Sequence, residues 1–89
     1  MSCEKHKINV EKYSGNLEEL ANDIGDLRYD SLKEFFSLLS KKIKSDAKKD
    51  KDGGRVQLSN WLTNLSESLK QAEKDTGVAW HISKKHMKL

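Results

Sequence analysis

The fold is decided by residues 32–69, which read LKEFFSLLSKKIKSDAKKDKDGGRVQLSNWLTNLSESL. Large apolar residues recur at intervals of three and four on both sides of Gly53 and Gly54, and this is the spacing of one helix face. The lysine-rich run before the glycine pair suits a helix C-terminus, and glycine readily adopts the left-handed conformation that stops a helix. Because the connection is short, we predict two antiparallel helices packed side by side.

The helix after the glycine pair is predicted to run from about residue 56 to about residue 82. Its apolar stripe continues in phase past Gly77, so we place that glycine inside the helix. The alternative is a break at Thr76 and Gly77, followed by a short fourth helix that carries Val78, Trp80 and Ile82.

A shorter helix is predicted upstream. Asn16 followed by Glu19 has the spacing of a capping box, and Leu17, Leu20, Ala21, Ile24 and Leu27 form its apolar stripe. Ser31 and Glu34 have the same spacing, so we predict a turn at about residues 28–30 and a new helix start. The apolar phase also permits one kinked helix that runs through both segments.

The predicted fold class is all-α, a small antiparallel three-helix bundle, with the short fourth C-terminal helix as the alternative. The chain has no proline, and its five glycines punctuate long helical segments. We predict a flexible or extended arm at residues 1–15 and a single helical-bundle domain at residues 16–89. The predicted core consists of Leu17, Leu20, Ile24, Leu32, Phe35, Leu39, Ile43, Leu58, Leu62, Leu65 and Leu69.

The composition excludes several classes of protein. The 89 residues are 35% charged and 35% hydrophobic, which allows one small core and no deep cleft between lobes. Cys3 is the single cysteine and cannot form an intramolecular disulfide, so a reducing compartment, the cytoplasm, is expected. The N-terminal residues contain no apolar stretch typical of a signal peptide, and no segment is apolar enough to span a bilayer.

No catalytic, metal or cofactor site is predicted. Helix 1 carries an acidic run, but its carboxylates lie on a polar helix face with no histidine in phase. His81 and His86 are five residues apart and therefore lie on different sides of a helix, and Cys3 and His6 alone do not supply four zinc ligands. No serine lies in a glycine-framed elbow. We expect no enzyme.

The apolar residues left over after core formation point to an interaction surface. Phe36 and Leu38 widen the helix 2 stripe beyond what one partner helix needs, and Trp61 and Trp80 are large residues beside the helix 3 stripe. We hypothesise a non-enzymatic protein-interaction module that binds a second copy of itself, as a homodimer, or another protein.

The alternative is a nucleic-acid-associated protein, because lysines can neutralise phosphates and release counterions. Aspartates interrupt the lysine run, only Arg28 and Arg55 provide guanidinium groups, and the formal net charge is only +3. The candidate lysines are Lys41, Lys42, Lys44, Lys48, Lys49, Lys84 and Lys85.

Overall fold

A computed structural model describes residues 6–86, and within them it contains three helices and no strand. Helix α1 spans Leu17–Gly25, α2 spans Tyr29–Asp52 and α3 spans Val56–Ser83. The all-α class and the three helices are therefore confirmed. Cys3 lies outside the described residues.

The ends of α1 follow local sequence signals. The Asn16 side chain accepts a hydrogen bond from the Glu19 backbone N–H at 2.8 Å, and the Glu19 carboxylate accepts one from the Asn16 N–H at 3.0 Å. This is the predicted capping box. Residues 26–28 separate α1 from α2, so the single kinked helix is wrong.

The predicted capping box at Ser31 places the start of α2 at Leu32, three residues too late. The helix begins at Tyr29, its N-cap Arg28 makes no side-chain cap bond, and Ser31 does not cap the helix. The Asp30 carboxylate instead accepts the Ser31 N–H at 2.9 Å and also binds Arg28. The Asp30 carboxylate satisfies a free backbone N–H in the first turn, so the helix can start before the position that the sequence predicted for the capping box.

Helices α2 and α3 are antiparallel and pack extensively against each other. Gly54, with φ +86°, provides the left-handed residue in the turn between them. Helix α3 continues through Gly77, as predicted, and the alternative break with a fourth helix is wrong.

The contact between α2 and α3 is a seam of small residues. The Ser40 hydroxyl donates to the Ser66 carbonyl oxygen at 2.8 Å, and the Ser59 hydroxyl donates to the Ala47 carbonyl oxygen at 2.7 Å. Seven residues separate the two positions on each helix, so one register holds along the seam. Because serine and alanine are short, the two backbones approach closely.

The predicted core of large apolar residues is wrong, because none of its eleven members is buried. Leu17, Leu58 and Leu65 are exposed, and the other eight are half-buried. The physical reason is that packing is concentrated between two helices, so no further layer covers the stripes on either side of the seam. Among the described residues, the buried ones are Ser40, Ala47, Ser59, Ser66 and Thr76.

The molecule is consequently flat and long. Its principal extents are 51 × 29 × 14 Å and its radius of gyration is 15.8 Å, whereas a compact chain of this length has about 12 Å. Helix α1 makes few contacts with the α2–α3 hairpin and has no buried residue. Residues 6–16 contain no helix or strand, and the Tyr13 hydroxyl donates to the Asp23 carboxylate of α1. The flexibility of the N-terminal arm stays a prediction.

Candidate functional site

Apolar side chains form two matching rows beside the small-residue seam. In each helix the row has successive spacings of four, three and four residues, so its members share one side of that helix. All of them are exposed or half-buried. We call this surface the apolar face, and it consists of Leu32, Phe36, Leu39, Ile43, Leu58, Leu62, Leu65 and Leu69.

On α3, the two leucines of the apolar face that lie farther from the seam are the more exposed ones. Leu58 and Leu65 are 44% and 45% exposed, whereas Leu62 and Leu69 are half-buried. Burying a side chain of this size contributes about 1.5 to 3 kcal/mol relative to leaving it in water. The apolar face therefore leaves a large hydrophobic stabilisation unused in the isolated chain.

The opposite side of the hairpin is polar and basic. Leu39 and Lys41 flank the buried Ser40 and are rotated from it by about 100° in opposite directions. A shallow hollow of about 230 Å³ lies on the lysine side. We call it the basic groove, and its lining residues are Ser37, Ser40, Lys41, Lys70, Glu73 and Lys74.

Charges around the basic groove are partly compensated. Lys33 of α2 forms an ion pair with Glu73 of α3, with 3.6 Å between Nζ and Oε2. These two residues lie seven positions from Ser40 and Ser66, so the pair continues the register of the seam. Within α3, Lys70 Nζ lies 3.8 Å from Glu67 Oε2. Lys41 and Lys74 form no ion pair among residues 6–86. The two faces of the hairpin thus differ in chemistry, one apolar and one cationic.

The four predicted interaction residues are not brought together. Phe36 lies on the apolar face and is half-buried, whereas Leu38 and Trp61 each lie two residues from a seam serine and therefore point away from the partner helix. They are 57% and 72% exposed. Trp80 lies near the far end of α3, half-buried beneath Arg28.

At the Trp80 end of the molecule, the residue before α2 contacts the last turns of α3. The Arg28 guanidinium carbon is 5.4 Å from the centre of the Trp80 ring, a cation–π distance. Arg28 also donates two hydrogen bonds to Asp30, at 2.6 and 2.8 Å, and these lower the pKa of the Asp30 carboxyl and raise that of Arg28. An open hollow of about 370 Å³ adjoins this pair. It is lined by Gly25, Asp26, Leu27, Arg28, Tyr29, Trp80 and Ser83.

The candidate nucleic-acid lysines are distributed over both ends of the hairpin. Lys41, Lys44 and Lys48 share one side of α2, whereas Lys42 and Lys49 lie on its outer side, where Lys42 pairs with Asp46 at 2.5 Å. Lys84 and Lys85 follow α3 at the opposite end from the glycine turn. These seven side chains do not form one continuous patch, although all are exposed.

Groups that could hold a metal do not converge within the described part of the chain, where no cluster of three or more His, Cys, Asp or Glu side chains is found. His81 is exposed on α3. No helix among residues 6–86 has the length and apolar character needed to cross a membrane.

Sequence reasoning placed most of the apolar face in the core and missed its exposure. The missed members of the surface are chiefly Leu58, Leu62, Leu65 and Leu69. One signal could have found them: serine or alanine occupies residues 40, 47, 59 and 66, and a leucine directly precedes each of the three serines. Small residues seven apart on two helices mark the line of closest approach and leave the larger neighbours at its edge.

Comparison of the chain with protein-family models, with curated proteins and with solved structures finds no match.

Proposed function

We propose that the protein is a non-enzymatic interaction module that binds a protein partner through its apolar face. The exposed leucines of α3 beside the half-buried row of α2 carry this proposal. Contiguous apolar surface of this kind, rimmed by polar side chains, is typical of protein-interaction sites. The single cysteine supports a place in the cytoplasm, where thiols stay reduced.

The total exposed surface supports the same proposal. The accessible surface is 7402 Å², whereas a compact monomer of 10.2 kDa exposes about 5300 Å². A standard interface buries about 800 Å² on each partner. The excess over a compact monomer is thus larger than the area that one partner contributes to a standard interface.

Site-specific photo-crosslinking tests the proposal with a matched pair of positions. Leu58 and Asn60 flank the buried Ser59 and lie on opposite sides of α3, and both are exposed. Benzoylphenylalanine placed at Leu58 is expected to give a protein adduct in the native cell, of a second copy or of another protein. The same group placed at Asn60 gives none. Equal adducts from both positions, or none from Leu58, would contradict the proposed surface.

A second candidate function is nucleic-acid association through α2. Its support is one row of lysines, Lys41, Lys44, Lys48 and Lys51, that share a side of the helix and form no ion pair among residues 6–86. Fluorescence anisotropy with labelled single- and double-stranded oligonucleotides tests it. The expected binding weakens linearly in log Kd against log salt, and Lys44→Glu with Lys48→Glu removes it. Absence of binding at low ionic strength excludes this function.

A further inference from the structure

The two ends of the hairpin carry opposite charge. At one end, residues 16–30 contain five acidic residues and one arginine, and Lys84 and Lys85 follow α3 there, so the net charge of these residues is −2. At the other end, residues 41–55 contain seven basic and three acidic residues, a net charge of +4. The first segment includes α1, and the second includes the last turns of α2 and the glycine turn. The molecule is therefore a flat plate with an acidic end and a basic end.

Several of these charges have no ion-pair partner within residues 6–86. Glu19 and Asp23 are engaged by Asn16 and Tyr13, but Glu18 and Asp26 of the acidic end are not paired. At the basic end Asp50 binds Arg55 at 2.7 Å and Asp46 binds Lys42, which leaves five lysines without an ion pair among residues 6–86. These are Lys41, Lys44, Lys48, Lys49 and Lys51.

The two ends lie far apart in one molecule. Helix α3 has 28 residues and so extends about 42 Å, and the α1–α2 turn meets it near Trp80 while the glycine turn lies at its start. Free charges separated by this distance are screened from each other, because the Debye length is about 8 Å at physiological ionic strength. The remaining net charges of the two ends, −2 and +4, therefore do not neutralise each other within one chain.

We infer that the partner of the apolar face is a second copy of this chain, docked face to face and antiparallel, so that the acidic end of each copy meets the basic end of the other. This inference rests on the proposed function of the apolar face. Two hairpins stacked in this way form a four-helix arrangement, and a two-fold axis makes the two end contacts identical. A parallel dimer would instead place like charges together at both ends, which disfavours it.

The apolar face is suited to such a contact. Its two rows have the same spacing on α2 and α3, so a copy rotated by 180° presents rows of matching period. Stacking covers the exposed Leu58 and Leu65 and the half-buried residues of both rows at once. The basic grooves then lie on the two outer surfaces of the dimer.

Sedimentation equilibrium of the full chain at low salt, with charge-reversed variants, tests the arrangement. The wild type is expected to be a dimer. Glu18→Lys with Asp26→Lys changes the acidic end from −2 to +2, and Lys48→Glu with Lys49→Glu and Lys51→Glu changes the basic end from +4 to −2. Each variant is expected to raise the dimer Kd at least tenfold, because like charges then meet at both end contacts. All five substitutions in one chain restore the dimer, because the ends are again opposite in charge, at +2 and −2.

Matched controls account for net charge. Glu34→Lys with Glu67→Lys, and Lys70→Glu with Lys74→Glu, change the net charge by +4 and −4 on exposed residues of the opposite face and are expected to change Kd less than threefold. Circular dichroism checks that every variant keeps its helices. If an end variant loses helix, the five-site variant still tests the charge contacts, because recovery of the dimer there depends on opposite charges at the ends.

The relative orientation of the two copies can be measured as a distance between two spin labels. A spin label on Asp52→Cys, in a chain with Cys3→Ser, lies at the glycine turn. Two such labels are about 40 Å apart in an antiparallel dimer, roughly the length of α3, and adjacent in a parallel one.

The outcomes separate the inference from the proposed function. Adjacent labels, unchanged Kd in the end variants or a monomeric wild type at all concentrations overturn the antiparallel dimer. A monomer that still gives adducts with another protein from Leu58 leaves the proposed surface intact. A dimer that persists unchanged in Leu62→Glu shows that the dimer does not use the apolar face, and the inference fails. The proposed function fails only if Leu58 also gives no adduct.

Discussion

The Ser40 hydroxyl of α2 donates a hydrogen bond to the Ser66 carbonyl oxygen of α3, at 2.8 Å, in the middle of the helix pair. Both residues are almost completely buried, with 1% and 0% of their surface exposed. A bond from a side chain this short to an opposing backbone requires the two helices to lie close together. The pair therefore fixes both the separation and the register of the hairpin.

A large residue at Ser40 is expected to force the helices apart. Ser40→Leu should lower the free energy of unfolding by about 2 to 3 kcal/mol, because the added volume has no space in the seam. Ser45→Leu makes the same change on an exposed side of α2 and should stay within about 0.5 kcal/mol of wild type. Urea denaturation at one protein concentration measures both. Equal effects would contradict a tight seam.

The two glycines of the hairpin should respond to alanine with opposite signs. Gly54→Ala is expected to lower stability by about 1 to 2 kcal/mol, because its φ of +86° is strained for a residue with a Cβ. Gly77→Ala should raise stability by about 0.5 to 1 kcal/mol, since it is inside α3. Its new Cβ would lie 3.0 Å from Lys33 Cε, the end of a side chain that can move. Thermal unfolding measures both, and destabilisation by Gly77→Ala would show that Lys33 cannot yield.

The Asp30 carboxyl is expected to titrate below its ordinary pKa of 3.8, chiefly because Arg28 donates two hydrogen bonds to it. A lowered pKa means that the folded state favours the ionised acid. The resulting stabilisation is present above about pH 3.8 and is lost as pH falls through the lower pKa of the folded state. An NMR titration of the side-chain carboxyl measures the midpoint. Arg28→Gln should move it upward, and an unchanged midpoint would rule out Arg28 as the cause.

Loss of the α1 cap should have a local effect. Asn16→Ala removes the acceptor for the Glu19 N–H and should cost about 1 kcal/mol of helix stability. Because packing is concentrated between α2 and α3, hydrogen exchange should accelerate in residues 17–25 and stay unchanged in the hairpin. Asn22→Ala, an exposed change within α1, is the control. Faster exchange throughout α2 and α3 would show that α1 supports the hairpin more than its contacts indicate.

The sequence by itself determined the helices, most of their ends and the antiparallel pairing of α2 with α3. Those features depend on neighbours a few residues apart: the Asn16 capping box, the glycine turn and the apolar period of three and four. Even the one misplaced boundary, at Tyr29, reflects a local competition that Asp30 wins over Ser31. The opposite charges of the two ends can likewise be read from the sequence.

Only the tertiary structure decided which side chains are buried. An apolar stripe gives the same sequence pattern whether it faces the middle of a bundle or the edge of a two-helix seam. The choice depends on how many layers cover it, which is not a local property. Here Ser40 and Ser66 take the central line because their short side chains permit close backbone approach and donate to carbonyls within reach. Leu58 and Leu65 are left at the surface, and the candidate site exists for that reason.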